Sequence, residues 1–254
     1  MIHLKHIIIT GTSRGIGESL AIQLMDRNHH LICISRTTNQ RVIDQAKEME
    51  CGIDYFNYDL THIQDIDQLF EDIFRQIDLY SNDEAIYLIN NAAMLTPVSP
   101  IERIKTERII ENIHLNLLAP MIITANYLKR TKDMNVDKRI LNISSASAKY
   151  LLPSQSCYST AKAGLDSFTK SIDIEQKLVT YPAKVAAVYP GMIDTHLQSE
   201  IRSVSKDLFP YVNEFTQLSE EGKLQTPEYT AHKLIEILLS EDFGKTVVIE
   251  SIAQ

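Results

Sequence analysis

Cysteine is scarce in this chain of 254 residues. Cys33, Cys51 and Cys157 are odd in number, and no pair has the spacing of metal ligands. Such a set reads as free thiols in a reducing compartment rather than a disulfide framework. Long apolar runs are also missing: none approaches the roughly 18 residues that a membrane span requires. The apolar stretch from Met1 to Thr10 is about one strand long and lacks a signal-peptide layout. A cytoplasmic protein without membrane contact is expected. Positive charge is in deficit, with 25 Lys and Arg against 33 Asp and Glu and a net charge of −8. That balance argues against a nucleic-acid binder, which needs a basic face, but leaves room for a local basic pocket around a phosphate. The eight histidines are scattered without a two-His motif, so no metal site is expected. No linker, repeat or low-complexity stretch divides the chain, and one domain over residues 1–254 is expected.

What is present is an alternation of short apolar runs and longer amphipathic segments. Strands are predicted at Leu4–Thr10, His30–Ser35, Ile53–Tyr58, Ala85–Ile89, Arg139–Ser144, Lys184–Tyr189 and Lys245–Glu250. Helices are predicted at Gly15–Asn28, Asn39–Glu50, Ile63–Leu79, Lys105–Leu115, Leu117–Thr131, Ser156–Val179 and Pro227–Ser240. Nearly continuous β-branched strands between amphipathic helices imply a sheet buried on both faces. Right-handed crossovers then give an α/β, doubly wound, mostly parallel seven-stranded sheet of the Rossmann type. The polar, mostly helical stretch His196–Gly222 is the longest region without a strand, and residues 192–223 are expected to cover the substrate.

The first strand ends in Thr10-Gly11-Thr12-Ser13-Arg14-Gly15-Ile16-Gly17 and runs into a helix. Gly11 permits a tight turn, Gly15 lets the backbone approach a pyrophosphate, and Gly17 lets the helix pack on the sheet. The helix N-terminus offers free N–H groups and a positive dipole end to phosphates. At the end of the second strand, where an NAD site carries an acidic residue for the ribose 2′-hydroxyl, stand Ser35 and Arg36. Arg36 and Arg14 suit a 2′-phosphate instead, so NADP(H) is favoured over NAD(H). Asp59, followed by Leu60, is placed either to accept from the adenine amino group or to cap the next helix. Asn90-Asn91-Ala92-Ala93 either lets the cofactor lie across the strand ends or satisfies backbone groups in a turn.

In the long helix near Ser156, Tyr158 and Lys162 share one face, one turn apart. A nearby ammonium favours the phenolate and lowers the pKa of a tyrosine, ordinarily about 10. Ser144-Ser145 ends the preceding strand at the carboxyl edge, where doubly wound sheets bind ligands, and a hydroxyl there can bond a substrate carbonyl. Leu165, Phe168 and Ile172 recur at helical spacing as core, and Cys157, beside Tyr158, reads as packing.

The order of these motifs, with Pro190-Gly191 after the sixth strand, resembles the short-chain dehydrogenase/reductase family over nearly the full length. Tyr189 to Thr195, Gln198 to Lys206 and Glu221 to Tyr229 further resemble the bacterial benzil reductases, which are close to the sepiapterin reductases. The resemblance implies that Tyr158 protonates a carbonyl oxygen, Lys162 lowers the tyrosine pKa and binds the nicotinamide ribose, and Ser145 orients the carbonyl. Asn116 matches the family asparagine that holds a water between lysine and solvent. Thr195 and the main chain at Ile193 match the contacts to the nicotinamide carboxamide. The cofactor set so implied is Gly11, Ser13, Arg14, Gly15, Ile16, Gly17, Arg36, Asp59, Leu60, Asn91, Ala92, Tyr158, Lys162, Pro190, Gly191, Ile193 and Thr195. Family members pair through the helices beside the fourth and fifth strands, which implies a homodimer or homotetramer. Ala93 replaces a common glycine, and Glu250 is a poor match for the acidic pterin anchor of sepiapterin reductases.

The expected activity is hydride transfer from NADPH to a ketone or α-diketone, a small-molecule carbonyl substrate. Leu152, Tyr189, Met192 and Phe209 are the apolar residues expected near it, and His196 is expected at the surface. The alternatives are an NADP(H)-binding sensor without chemistry, an alcohol dehydrogenase, and a sepiapterin-type reductase. A sensor has no need of the combined Ser145, Tyr158, Lys162 and Asn116 set.

Overall fold

In β1 (Leu4–Thr10), Ile7 and Ile9 pack into one hydrophobic layer and Ile8 into the other, and none of the three is exposed. This period-2 division of an unbroken apolar run is what a sheet covered on both faces requires. The computed structural model describes residues 4–77 and 83–252. Six further strands follow: β2 (His29–Ser35), β3 (Gly52–Asn57), β4 (Asp83–Asn90), β5 (Asp137–Ile143), β6 (Lys184–Val188) and β7 (Val248–Ile249). All seven pair in parallel, in the order β3-β2-β1-β4-β5-β6-β7. The expected doubly wound sheet is therefore present, and it is parallel throughout.

One face carries α1 (Gly15–Gln23), α2 (Gln40–Glu48) and α9 (Pro227–Leu239), whose Leu20, Val42 and Leu234 join Ile7, Leu31 and Leu141 in one core. The other carries α3 (Ile66–Gln76), α5 (Ala119–Thr131) and α6 (Ser156–Gln176), whose Phe70, Tyr127 and Ile172 meet Ile8, Ile86 and Val185. A third apolar cluster lies above the carboxyl edge. It joins Leu95, Val98 and Tyr158 to α7 (His196–Arg202) and α8 (Val212–Glu220). No helix among the described residues is long and apolar enough to cross a membrane.

Several predicted boundaries move, each for a local reason. The helix expected to reach Asn28 ends at Gln23, because Asp26 accepts from Asn28 N (2.8 Å) and His29 N (3.0 Å) in a turn of its own. Asn39, predicted inside α2, is its N-cap and accepts from Val42 N. The helix predicted over Ile63–Leu79 is a 3₁₀ turn, Ile63–Asp65, followed by α3, and Leu79 lies outside the described residues. The two helices predicted around Lys105–Leu115 and Leu117–Thr131 form one run. α4 (Thr106–Ile113) passes through a π-helical turn, His114–Leu118, into α5. The last strand shrinks from Lys245–Glu250 to Val248–Ile249, because Lys245 N is held by Asp242 O in a turn.

The β1–α1 turn sets the shape of the carboxyl edge. Gly11 takes φ +77°, and a Cβ on Gly17 would lie 2.0 Å from the Gly11 carbonyl oxygen. Alanine in place of glycine gains about 1 kcal/mol of helix propensity, but overpacking costs roughly 1–3 kcal/mol even for milder clashes. A 2.0 Å contact with backbone belongs at the upper end of that range, so Gly17→Ala is expected to destabilise the protein by about 2 kcal/mol net, read as a lower urea midpoint with an unchanged m-value.

Candidate active site

The carboxyl ends of β1 and β4 are clamped by side chains. Thr10 Oγ1 accepts from Asn91 N (2.9 Å) and Ala92 N (3.0 Å), while Asn91 Nδ2 donates to Thr10 O (2.9 Å) and Gly11 O (3.3 Å). Asn90 turns inward and donates to Asn142 Oδ1 (2.8 Å), which extends through Asn142 Nδ2 to Thr169 Oγ1 (2.9 Å). The sheet order reverses between these two strands, and a cavity of about 970 Å³ opens there. Eighteen residues expected in the site line it: Gly11, Ser13, Arg14, Gly15, Ile16, Gly17, Arg36, Asp59, Leu60, Asn91, Ala92, Ser145, Tyr158, Lys162, Pro190, Gly191, Ile193 and Thr195.

At one end Arg14 and Arg36 are exposed, and among the described residues neither guanidinium forms an ion pair. Asp59 Oδ1 accepts from Thr61 N (3.0 Å) and Thr61 Oγ1 (2.8 Å), so it closes a turn and does not cap the helix. Burial raises the Asp59 pKa, but these bonds and the Arg36 and His62 charges outweigh it and hold the carboxyl below its ordinary value. In the middle, the Gly15 backbone faces open space: a Cβ there would meet Thr195 alone, at 3.6 Å. The residues present thus fit a dinucleotide, with a cradle for phosphates at the α1 N-terminus.

At the other end, α6 presents Tyr158 and Lys162, both buried. Lys162 Nζ donates to Ile143 O (2.7 Å) and stands 5.7 Å from the Tyr158 ring centroid. Burial pushes the Lys162 ammonium down to about 8, against the pull of Asp166. Burial also raises the Tyr158 phenol above its ordinary value, and the neighbouring Ser145 hydroxyl draws it partly back. The depression anticipated from Lys162 is thus not found in this structure, where the cost of charging a buried phenol sets the direction. Ser145 follows β5 by two residues with extended backbone, and its Oγ accepts from Ser147 N (3.1 Å).

Asn116, expected to hold a water between the lysine and solvent, does not itself line the cavity. It is fully buried in the π turn, where Oδ1 accepts from Met94 N (3.0 Å) and Nδ2 donates to Met94 O (2.8 Å). Its carbonyl has no α-helical donor, because residue 120, four positions on, is proline.

Two of the four expected apolar contacts are also displaced. Leu152 and Met192 line the cavity, but Phe209 is fully buried in the third cluster, edge-on to Phe215 at 5.4 Å between ring centroids. Tyr189 is buried as well, its hydroxyl donating to Asp166 Oδ2 (2.5 Å). Leu95, Leu115, Leu151, Leu197, Ile201 and Phe215 supply the apolar wall instead. Gln155, buried and lining the cavity, was also missed. Its position three residues before Tyr158, at the N-cap of α6, was the available signal. His196 lines the rim and pairs with Glu200 (3.2 Å). The segment holding α7 and α8 is tied at its base: Gln225 N donates to Met192 O and Asp194 N to Gln225 O, each at 2.9 Å.

With this geometry in hand, comparison with known proteins is informative. A sequence profile described as short chain dehydrogenase matches residues 5–206. A benzil reductase ((S)-benzoin forming) of Bacillus cereus is 39% identical over 97% of this chain and 98% of its own. The protein of the same description from Bacillus subtilis (strain 168) is 33% identical over 91% of this chain and 92% of its own. The solved structure of a 4-hydroxyisoleucine dehydrogenase complexed with NADH superimposes with a TM-score of 0.77 at 23% identity, covering 97% of each chain. The matching profile and the identity to these relatives make the chain a member of the short-chain dehydrogenase family, an oxidoreductase on a Rossmann-type sheet.

Proposed function

We propose that the protein is an NADPH-dependent carbonyl reductase acting on a ketone or an α-diketone of the benzil type, with Tyr158 as proton donor. The observation that carries this reading is one cavity in which Ser145, Tyr158 and Lys162 face an apolar wall of leucine, isoleucine and phenylalanine side chains. Such a wall suits aryl or alkyl groups, while the few polar groups suit a carbonyl oxygen. The two Bacillus relatives, whose names describe benzil reduction, support the same substrate class.

The nicotinamide, when bound, supplies the hydride. The protein's own residues manage the oxygen. The Ser145 hydroxyl orients the carbonyl and polarises it, and the Tyr158 phenol delivers its proton to that oxygen as negative charge develops. A raised phenol pKa suits this direction, because the acid form then predominates at neutral pH. Lys162 holds the ribose and favours charge on Tyr158 once the proton has left. The Asn116 carbonyl, which has no α-helical donor at residue 120, is suited to hold a water that reprotonates the pair. Residues 192–223 close over the substrate, bringing Met192, Leu197, Ile201 and Phe215 against it.

Preference for NADPH rests on this chain's own side chains. No carboxylate stands at the end of β2, and the exposed Arg14 and Arg36 leave their guanidinium groups available to a 2′-phosphate. A sensor without chemistry is disfavoured, since it would not need the buried Tyr158 and Lys162.

Two outcomes are expected when loss of NADPH absorbance is followed with benzil, simple ketones and sepiapterin, with NADH in parallel. Tyr158→Phe lowers kcat by about 10²–10⁴-fold, the usual worth of a general acid, while NADPH affinity by fluorescence stays near that of the wild type. Turnover at the wild-type rate would remove Tyr158 from the mechanism. Arg36→Leu weakens NADPH binding by roughly 10–100-fold, the loss of one charge-assisted bond, and leaves NADH binding nearly unaltered. An equal effect on both cofactors would overturn the arginine assignment.

A further inference from the structure

One buried carboxylate takes no part in the chemistry above. Asp166 stands one helical turn beyond Lys162 and two beyond Tyr158 on α6, so the three share a face, and all three are buried. Its Oδ2 accepts the Tyr189 hydroxyl at 2.5 Å, just past the end of β6. Its Oδ1 is buried with no hydrogen-bond partner among the described residues. A carboxylate so placed is costly unless an opposite charge lies close. Lys162 is the buried cation on the same face.

The other titratable groups around the carboxylate do not fill that role. Tyr189 is a neutral donor, whose pKa is raised by burial and by Asp166 itself. Tyr150, on the turn after β5, is exposed and has no cationic form. Glu250, after β7, is negative and already paired with Lys149 at 2.7 Å. Lys170, one turn further along α6, is exposed to water. Arg14 and Arg36 belong to the opposite end of the cavity.

We propose that Asp166 is a positioning residue, the fixed counter-charge that keeps Lys162 an ammonium ion. The inference rests on the reading that Tyr158 and Lys162 carry the proton transfer. Loss of a nearby negative charge favours neutral lysine over ammonium, so the Lys162 midpoint moves to lower pH. The effect matters because burial has already brought Lys162 down to about 8, within reach of neutral pH. Tyr189 holds the carboxylate in place from outside the helix.

The test uses Asp166→Asn, which keeps the shape and removes the charge, with Asp166→Ser as the second neutral variant should the first fail to fold. The ¹³Cε resonance of Lys162, assigned through Lys162→Met, is titrated in the protein without ligand, and the pH profile of kcat/KM is measured with NADPH and benzil. In the neutral variant the Lys162 midpoint and the alkaline limb of the profile are expected to fall together, by about one pH unit. Tyr189→Phe, which removes the hydrogen bond but leaves the charge, is expected to keep the limb within a few tenths of a unit of the wild type. An unmoved Lys162 midpoint in the neutral variant overturns the inference, as does a Tyr189→Phe profile that matches Asp166→Asn. Wild-type protein that fails to reduce benzil overturns the substrate reading alone, because the lysine titration needs no turnover.

Discussion

The clamp between the ends of β1 and β4 is the constraint on which the site depends. A parallel sheet ends each strand with unpaired backbone groups, and those groups must find partners before the chain can turn away. Here Thr10 and Asn91 supply them for each other across the point where the sheet order reverses. The clamp holds Gly11 in its left-handed conformation against Ala92 and brings α1 down onto the sheet at Gly17. Everything that could contact a dinucleotide is arranged around that fixed edge, including the α1 N-terminus and the end of β5. Asn91 is thereby a structural residue and a lining residue at once, which dissolves the choice between the two readings of the Asn-Asn-Ala segment.

Most of the fold was legible because its signals are local. β-branched runs between amphipathic segments specify a sheet buried on both faces, and a glycine-rich turn after the first strand marks where it opens. Tyr158 and Lys162 could be paired from sequence because a spacing of four is itself a contact on a helix. What escaped was of two kinds. Competition among hydrogen bonds over a few residues moved boundaries, as where Asp26 ends α1 early. Contacts distant in sequence decided orientation, as where Met94 takes both polar atoms of Asn116, or Asp166 takes the Tyr189 hydroxyl. Apolarity alone could not say that Phe215 would face the cavity while Phe209 turned into the cluster behind it.

The arrangement also explains how one small region can hold two opposed charges' worth of chemistry in a dry place. Lysine and tyrosine buried together both resist ionisation, the lysine by losing its proton and the phenol by keeping its own. Ser145 on one side and Asp166 on the other supply the polar environment that water would otherwise provide. Lys162 is further anchored to the Ile143 carbonyl of β5, so the sheet fixes the position of its charge.

Tyr158 belongs to the same apolar cluster as Ile201, Phe209 and Val212, which come from the segment tied at Met192 and Gln225. The phenol is therefore sheltered by the very surface proposed to meet the substrate. A ligand bulky enough to lift that segment would hydrate the phenol and relax the burial that raises its pKa. With Tyr158 as the acid, substrate size and acid strength would be coupled through a shared dielectric, with no need for a separate sensor of either.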